Sequence, residues 1–112
     1  MNAEYLRDYA LQLPGVAECF PFGDSTLVFK LAGRIFLLVS LDEVPCRFNV
    51  KCDPAKALEL REAYPGIVLP GYHMNKLHWN TVIVNGRLGE KEIREMIDHS
   101  YELIAMKAKK KK

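Results

Sequence analysis

The sequence predicts an α+β fold, a two-layer sandwich in which helices pack on one antiparallel sheet of about five strands. Short apolar and β-branched runs are joined by tight turns such as Ala32-Gly33 and Asn85-Gly86, which indicates antiparallel pairing of consecutive strands. Helical spacing of apolar residues occurs in three stretches, so the predicted element order is αβββαββα. The chain of 112 residues shows no internal repeat or linker, which favours a single domain.

The first predicted helix covers residues 3 to 13, with Asn2 as its N-cap. Four apolar side chains fall on one face at helical spacing: Leu6, Tyr9, Ala10 and Leu13. Pro14-Gly15 ends the helix, because proline restricts the preceding residue to an extended conformation. Residues 16 to 25 are interpreted as an irregular link.

Residues 26 to 31 and 34 to 41 are predicted to form a hairpin of two strands. The second of these is apolar on both faces, so we expect it to be central and covered on both sides. Residues 47 to 51 are a third strand, whose alternation separates an apolar face from a polar one. Phe48 and Val50 lie on the apolar face, and Arg47, Asn49 and Lys51 lie on the polar face.

The second half of the chain begins with Asp53 as N-cap and Pro54 at the first helical position. This helix ends at Pro65-Gly66, and short strands are predicted at residues 67 to 69 and 79 to 84. A long final helix is predicted from residue 89 to about 107. Its buried stripe comprises Ile93, Met96, Ile97, Ser100, Tyr101 and Ile104.

The net charge of +2 depends on five lysines in the last six residues, and without them the remaining chain carries −3. We therefore predict one folded domain over residues 1–106 and a disordered basic tail over residues 107–112. Three cysteines are an odd number, which argues against a disulfide framework and for a reducing cytoplasm. We also expect no signal peptide, no membrane segment and a monomer.

The segment from Pro70 to Thr81 is the strongest candidate for a binding site, since it contains the only tryptophan and two of the three histidines. Its candidate contact residues are Tyr72, His73, Asn75, Lys76, His78, Trp79 and Asn80. Arg34, Arg47 and Lys51 form a predicted basic strand face that, together with Lys76, would contact phosphates. The alternatives are that Trp79 anchors the core, that the asparagines make turn hydrogen bonds and that the charged face is only solvated.

Catalytic signatures are absent from the sequence: it has no Gly-x-Ser-x-Gly, phosphate-binding loop, dinucleotide fingerprint or His-Glu-x-x-His. His73 and His78 are separated by four residues, and no Cys-x-x-Cys occurs, so neither spacing supports a metal site. His99, beside the apolar stripe of the final helix, is interpreted as a hydrogen-bonding group. We therefore expect no enzyme activity, no metal and no cofactor.

The segment Pro70-Gly71-Tyr72-His73-Met74-Asn75-Lys76, followed by His78-Trp79-Asn80-Thr81-Val82, resembles the MmcQ/YjbR-like family of small bacterial proteins. Further matching residues extend from Leu13-Pro14-Gly15 to Asp98-His99-Ser100-Tyr101, so the resemblance spans nearly the whole chain. Leu77 departs from the pattern, because a basic residue is expected there. The resemblance implies a frataxin-like (CyaY-like) sandwich, also described as a double wing.

The double-wing likeness implies DNA as a candidate partner, by fold analogy alone. The frataxin likeness does not extend to iron, because the first helix offers only Glu4 and Asp8 with Arg7 between them. Three hypotheses follow. The first is a non-enzymatic domain with weak DNA affinity, and the second is a small-molecule or protein-partner module that uses the surface from Tyr72 to Asn80. The third is that the segment has a purely structural role.

Overall fold

The computed structural model describes residues 2 to 110, with side chains described for residues 2 to 108. The helices are α1 (Ala3–Gln12), α2 (Pro54–Ala63) and α3 (Glu90–Lys110). The strands are β1 (Val16–Cys19), β2 (Thr26–Leu31), β3 (Arg34–Ser40), β4 (Cys46–Lys51), β5 (Val68–Pro70) and β6 (Trp79–Val84). These six strands form one antiparallel sheet in the order β1-β2-β3-β4-β6-β5. The α+β class with one antiparallel sheet is confirmed.

Strand β1 lies where an irregular link was predicted, so the sheet has six strands and the order is αββββαββα. It pairs only with β2, from Val16 opposite Leu31 to Cys19 opposite Val28. An edge strand of four residues has little apolar alternation, and its neighbouring glycines and prolines resemble a loop. Arg7 of α1 fixes this strand through two hydrogen bonds of 2.7 Å to the Glu18 carboxylate.

The predicted boundaries of the other elements lie close to the observed ones, and Asn2 and Asp53 cap α1 and α2 as predicted. The final helix continues to Lys110, so residues 107–110 are helical where a disordered tail was predicted. Alanine and lysine are strong helix formers, which explains why the last turns extend the helix. Residues 111 and 112 of the predicted tail lie outside the described residues.

The main core lies between the sheet and helices α1 and α3. The largest fully buried side chains in it include Phe29, Phe36, Phe48, Leu6, Leu37, Ile93 and Ile97. The pairing of β2 with β3 is irregular: Phe29 faces Leu37 and Lys30 faces Ile35, which leaves Phe36 as an extra residue of the type found in a β-bulge. Buried Ser100 of α3 donates to the Phe36 carbonyl (2.6 Å) and accepts from the Lys51 N–H (2.9 Å).

Strand β3 was expected to be covered on both faces, but only one of its faces is covered by helices. This strand is central, but no helical residue belongs to the cleft on its second face. Leu38 is 8% exposed and contributes to the floor of that cleft. The apolar residues of β3 therefore pack into the helix-covered core on one face of the sheet and line the cleft on the other. Within residues 2 to 110, no helix combines the length and the hydropathy needed to cross a membrane.

Candidate functional site

A cleft of about 620 Å³ lies on the helix-free face of the sheet. Its floor crosses the middle of the sheet, from Thr26 through Leu38 and Asn49 to Thr81. Three loops surround this floor: residues 20 to 25, residues 41 to 45 and residues 71 to 78. A volume of this size falls within the range of about 300–1,000 Å³ that small-molecule sites occupy in proteins.

Arg47 is the basic residue in the lining of this cleft. It is the second residue of β4 and pairs in register with Ser40 of β3. Its Nε atom is buried and has no hydrogen-bond partner among the described residues. A buried donor without an acceptor costs about 1–3 kcal/mol, and more when the group is charged. The cleft lining therefore includes an arginine whose Nε–H is unsatisfied within the described residues.

A hydrogen-bond network joins the cleft floor to the loop above it. Thr81 Oγ1 donates to Asn49 Oδ1 (2.5 Å) and accepts from the Tyr72 N–H (2.9 Å). Asn49 Nδ2 in turn donates to the Tyr72 carbonyl (3.3 Å). Both backbone polar groups of Tyr72 are thus held by strand side chains, which fixes where the loop leaves the sheet.

Tyr72 and His73 form one wall of the cleft. Their ring centroids are 4.0 Å apart at an interplanar angle of 50°. His73 has φ of 59°, a left-handed conformation that is uncommon outside glycine but more frequent for histidine than for most residues. Tyr72 is 62% exposed, and Phe22 in the loop before β2 is 63% exposed. The cleft is consequently lined by aromatic side chains from two separate loops.

Asn80, predicted as a surface contact, lies in the interior and is 1% exposed. Its Oδ1 accepts from Arg61 Nε (2.8 Å), and its Nδ2 donates to the Ala57 carbonyl (3.5 Å). Arg61 Nη2 also donates to the carbonyls of Lys76 and Trp79. Asn80 and Arg61 therefore connect α2 to the segment that precedes β6, which is the structural role weighed in the third hypothesis.

Asn75 and Lys76 make local contacts within this segment. Asn75 Oδ1 accepts from the Leu77 N–H (2.9 Å), and Lys76 Nζ donates to the Gly71 carbonyl (3.3 Å). Trp79 is half-buried but is not part of the main core, so it is neither a central core anchor nor a fully exposed stacking surface. None of these three residues belongs to the cleft lining. Of the predicted contact residues, the cleft brings together Arg47, Tyr72 and His73.

The other predicted basic residues lie at a different corner of the molecule. Burial, and then the charges of Lys107 and Arg34, lower the pKa of Lys51 to about 8. Lys51 also shares a shallow depression with His78 and Lys107. Arg47 is near the opposite end of β4, so the predicted basic stripe divides into a single arginine in the cleft and a basic corner of Arg34, Lys51 and Lys107.

Several residues that matter here were not predicted as site residues: Phe22, Asp42, Glu43 and Arg61. Phe22 had a usable signal, because a large aromatic residue between Pro21 and Gly23 is unusual in a solvent-exposed loop. Asp42 and Glu43 resembled ordinary turn residues, and only the register of β3 with β4 brings them into the same cleft as Arg47. Arg61 is distant in sequence from Asn80, so its role depends on how α2 packs.

Metal-binding geometry is not found within the described part of the chain, where no group of three His, Cys, Asp or Glu side chains is close enough to hold an ion. The three cysteines are free thiols. Burial raises the pKa of Cys52 to about 11 and also raises that of Cys46, so both thiols are protonated near neutral pH. His99 accepts from the Asp53 N–H (3.2 Å), which agrees with its predicted hydrogen-bonding role.

The fold and the cleft define a small α+β domain with a single antiparallel sheet, helices on one face and a concave surface on the other. The chain belongs to the YjbR family, whose model matches residues 11–103. It is 44% identical over 102 residues to Uncharacterized protein YbdF of Escherichia coli O157:H7, covering 90% of this chain and 82% of that protein. It is 28% identical to Uncharacterized protein YjbR of Escherichia coli strain K12, covering 91% and 86%.

Two solved structures share the fold. The crystal structure of Deinococcus radiodurans protein DR2400, with a DUF419 domain, matches at a TM-score of 0.91 and 38% identity. That match covers 96% of this chain and 80% of the Deinococcus chain. The crystal structure of a Pseudomonas syringae protein matches at a TM-score of 0.79 and 30% identity, covering 93% of this chain and 99% of the other.

Proposed function

We propose that this protein is a non-enzymatic binding domain that takes a small ligand in the cleft on the helix-free face of its sheet. The observation that carries the proposal is Arg47, whose buried Nε–H has no acceptor among the described residues. A ligand oxygen that reaches the guanidinium after a small shift of the Arg47 side chain would supply the missing acceptor, and the bond would be strengthened by the positive charge of the group.

The form of the cleft supports the same proposal. Small-molecule sites combine apolar and aromatic lining with convergent polar groups, and this cleft contains both kinds of side chain. Leu38, Phe22 and Met74 supply apolar surface, while Ser40 and Arg47 supply polar groups. The hydrogen bond that the Tyr72 N–H donates to Thr81 and the one that its carbonyl accepts from Asn49 hold one wall in place, which lowers the entropic cost of ordering a loop around a ligand.

Binding without chemistry is part of the proposal. The sequence has no catalytic signature, and raised pKa values keep the thiols of Cys46 and Cys52 in their less nucleophilic, protonated form. A cytoplasmic location belongs to the same proposal, since three free cysteines suit a reducing compartment.

A ligand screen by NMR tests the proposal. Isotope-labelled protein is mixed in turn with small carboxylates, amino acids and organic phosphates, and shifts in the amide spectrum are mapped onto the fold. We expect saturable shifts around Arg47, Thr81 and Tyr72 for at least one class. Arg47→Met, which keeps an apolar stem but removes the donors, should abolish them, whereas the matched change Arg87→Met at an exposed turn should not. Shifts confined to other surfaces would contradict the proposal.

Nucleic-acid binding is a second candidate function, and the basic corner of Arg34, Lys51 and Lys107 favours it. Burial lowers the pKa of Lys51, and the nearby charges of Lys107 and Arg34 lower it further, so positive charges lie close together in an arrangement that a phosphate would stabilise. The test is fluorescence anisotropy of a labelled DNA duplex at about 50 and 200 mM salt. Binding that weakens with salt and is lost in Lys51→Gln, but kept in Arg47→Met, would support this function. No binding at low salt would contradict it.

A further inference from the structure

Side chains of both charges line the cleft near the loop between β3 and β4. Asp42 and Glu43 lie in the loop between β3 and β4, and Arg47 follows that loop as the second residue of β4. Asp42 and Glu43 are exposed, and none of the ion pairs found between described side chains involves any of these three residues. This part of the cleft therefore presents one cation and two anions that are free to pair with a ligand.

These charges restrict which charged groups a ligand of the cleft can carry. With two carboxylates and one guanidinium, this part of the cleft carries one net negative charge, excluding His73. A doubly charged phosphate would gain from Arg47 but would be repelled by both carboxylates. A ligand with a carboxylate for Arg47 and an ammonium group for Asp42 or Glu43 pairs with both signs at once.

Part of the remaining lining is apolar or aromatic. Leu38 lies two residues before Ser40, the register partner of Arg47, so the apolar part of the floor lies one strand step away from the charges. Phe22 and Tyr72, both highly exposed, border this floor from two different loops. Exposed aromatic rings beside a cleft offer a ligand apolar contact surface.

On the basis of the binding function proposed above, we infer that the cleft takes a free α-amino acid with a large apolar side chain. Its carboxylate pairs with Arg47, its ammonium group pairs with Asp42 or Glu43, and its side chain lies over Leu38 between Phe22 and Tyr72. An α-amino acid carries its ammonium and carboxylate groups on the same carbon atom, which matches a site where both signs occur within the short stretch from Asp42 to Arg47.

Isothermal titration calorimetry on the full chain tests this inference with three related probes. These are L-phenylalanine, 3-phenylpropionate without the ammonium group, and phenethylamine without the carboxylate. We expect phenylalanine to bind, and loss of either charge to weaken binding at least about tenfold. L-serine, which has the charges without the apolar side chain, should also bind more weakly.

Surface variants complete the test without endangering the fold. Asp42→Asn combined with Glu43→Gln alters only exposed loop side chains. This double variant should bind phenylalanine more weakly than the wild type, and it should bind 3-phenylpropionate equally well or more tightly. Equal binding of phenylalanine and 3-phenylpropionate would overturn the amino-acid inference but leave a ligand cleft at Arg47 in place. No shift near Arg47 with any compound of the NMR screen would instead overturn the binding function itself.

Discussion

Thr81 Oγ1 donates a hydrogen bond to Asn49 Oδ1 across 2.5 Å, and this contact joins two strands on the floor of the cleft. The same Thr81 oxygen accepts from the backbone of Tyr72. A single hydroxyl group thus links the floor of the cleft to its aromatic wall. The shape of the binding surface consequently depends on a side chain that a ligand does not need to touch.

Replacing Thr81 with valine tests this dependence. The change keeps the shape of the side chain but leaves Asn49 Oδ1 and the Tyr72 N–H without their partner, so we expect a loss of about 1–3 kcal/mol in unfolding free energy. Urea denaturation measures it, and amide exchange at Tyr72 should become faster. Thr81→Ser retains the hydroxyl and serves as the control. Equal stability of the valine and serine variants would contradict the role of the hydroxyl.

Arg61 should be coupled to Asn80. Removing Arg61 takes the donor away from the buried amide oxygen of Asn80 and from the Lys76 carbonyl, while the Trp79 carbonyl keeps its bond from the Gly71 N–H. Arg61→Met should therefore lower the unfolding free energy by about 1–3 kcal/mol. In a double-mutant cycle with Asn80→Leu, the interaction energy should exceed about 0.5 kcal/mol. Arg87→Met, at an exposed turn, should have little effect. Strictly additive effects of the two changes would show that the Arg61–Asn80 bond does not couple them.

Gly71 allows the loop to approach β6 closely. A Cβ atom at this position would lie 2.7 Å from Trp79 Cβ and 3.0 Å from the Trp79 carbonyl oxygen. Gly71→Ala should therefore shift the loop and destabilise the fold by about 1–3 kcal/mol. Gly89→Ala is a matched control, since its Cβ would meet only the flexible end of Glu92. Thermal melts compare the two, and a Gly71→Ala variant as stable as Gly89→Ala would refute the close approach.

Protonation of His99 should lower the free energy of unfolding in mild acid. Burial, followed by the charge of Lys56, lowers the pKa of His99, although Asp53 and Glu102 act in the opposite direction. The unfolded chain therefore binds a proton at a higher pH than the folded protein does. This contribution to stability is present above about pH 6.5, the usual pKa of histidine, and is lost as pH falls towards the folded pKa.

The hydrogen bond from the Asp53 N–H to His99 Nε2 should also be lost as pH falls, because a protonated ring has no acceptor. Its loss lowers stability in the same direction. Denaturant melts between about pH 5 and 7.5 should show this loss in the wild type. His99→Gln does not titrate in this range and should show a weaker pH dependence. An identical dependence in both proteins would assign the acid sensitivity to other groups.

The fold was largely predictable from the sequence because its signals are local. Asn2 and Asp53 mark helix starts through their own side chains, and the Ala32-Gly33 turn joins two strongly apolar strands. Strand β1 escaped prediction because it is a short edge strand whose pairing with β2 depends on tertiary structure. The helical state of residues 107–110 was not predicted, because a run of lysines is typical of a disordered tail although lysine is also a strong helix former.

The site was only partly predictable, for a related reason. The sequence singled out the segment around Tyr72 and His73 through its rare residue types. It did not reveal that Asn80 points into the interior, since that depends on Arg61 in a distant helix. Nor did it place Asp42 and Glu43 in a cleft, because a turn residue acquires that position only when two strands pair.

The most direct measurement of the central claim follows the Nε–H resonance of Arg47 in proton–nitrogen NMR spectra. The signal is assigned to Arg47 because it is missing from the spectrum of the Arg47→Met variant. The carboxylates, amino acids and organic phosphates of the screen are then titrated in turn. Binding in the cleft predicts a saturable shift of this one side-chain signal with at least one compound, together with amide shifts at Thr81 and Tyr72. A signal that stays unmoved by every compound would contradict the claim that Arg47 holds a ligand.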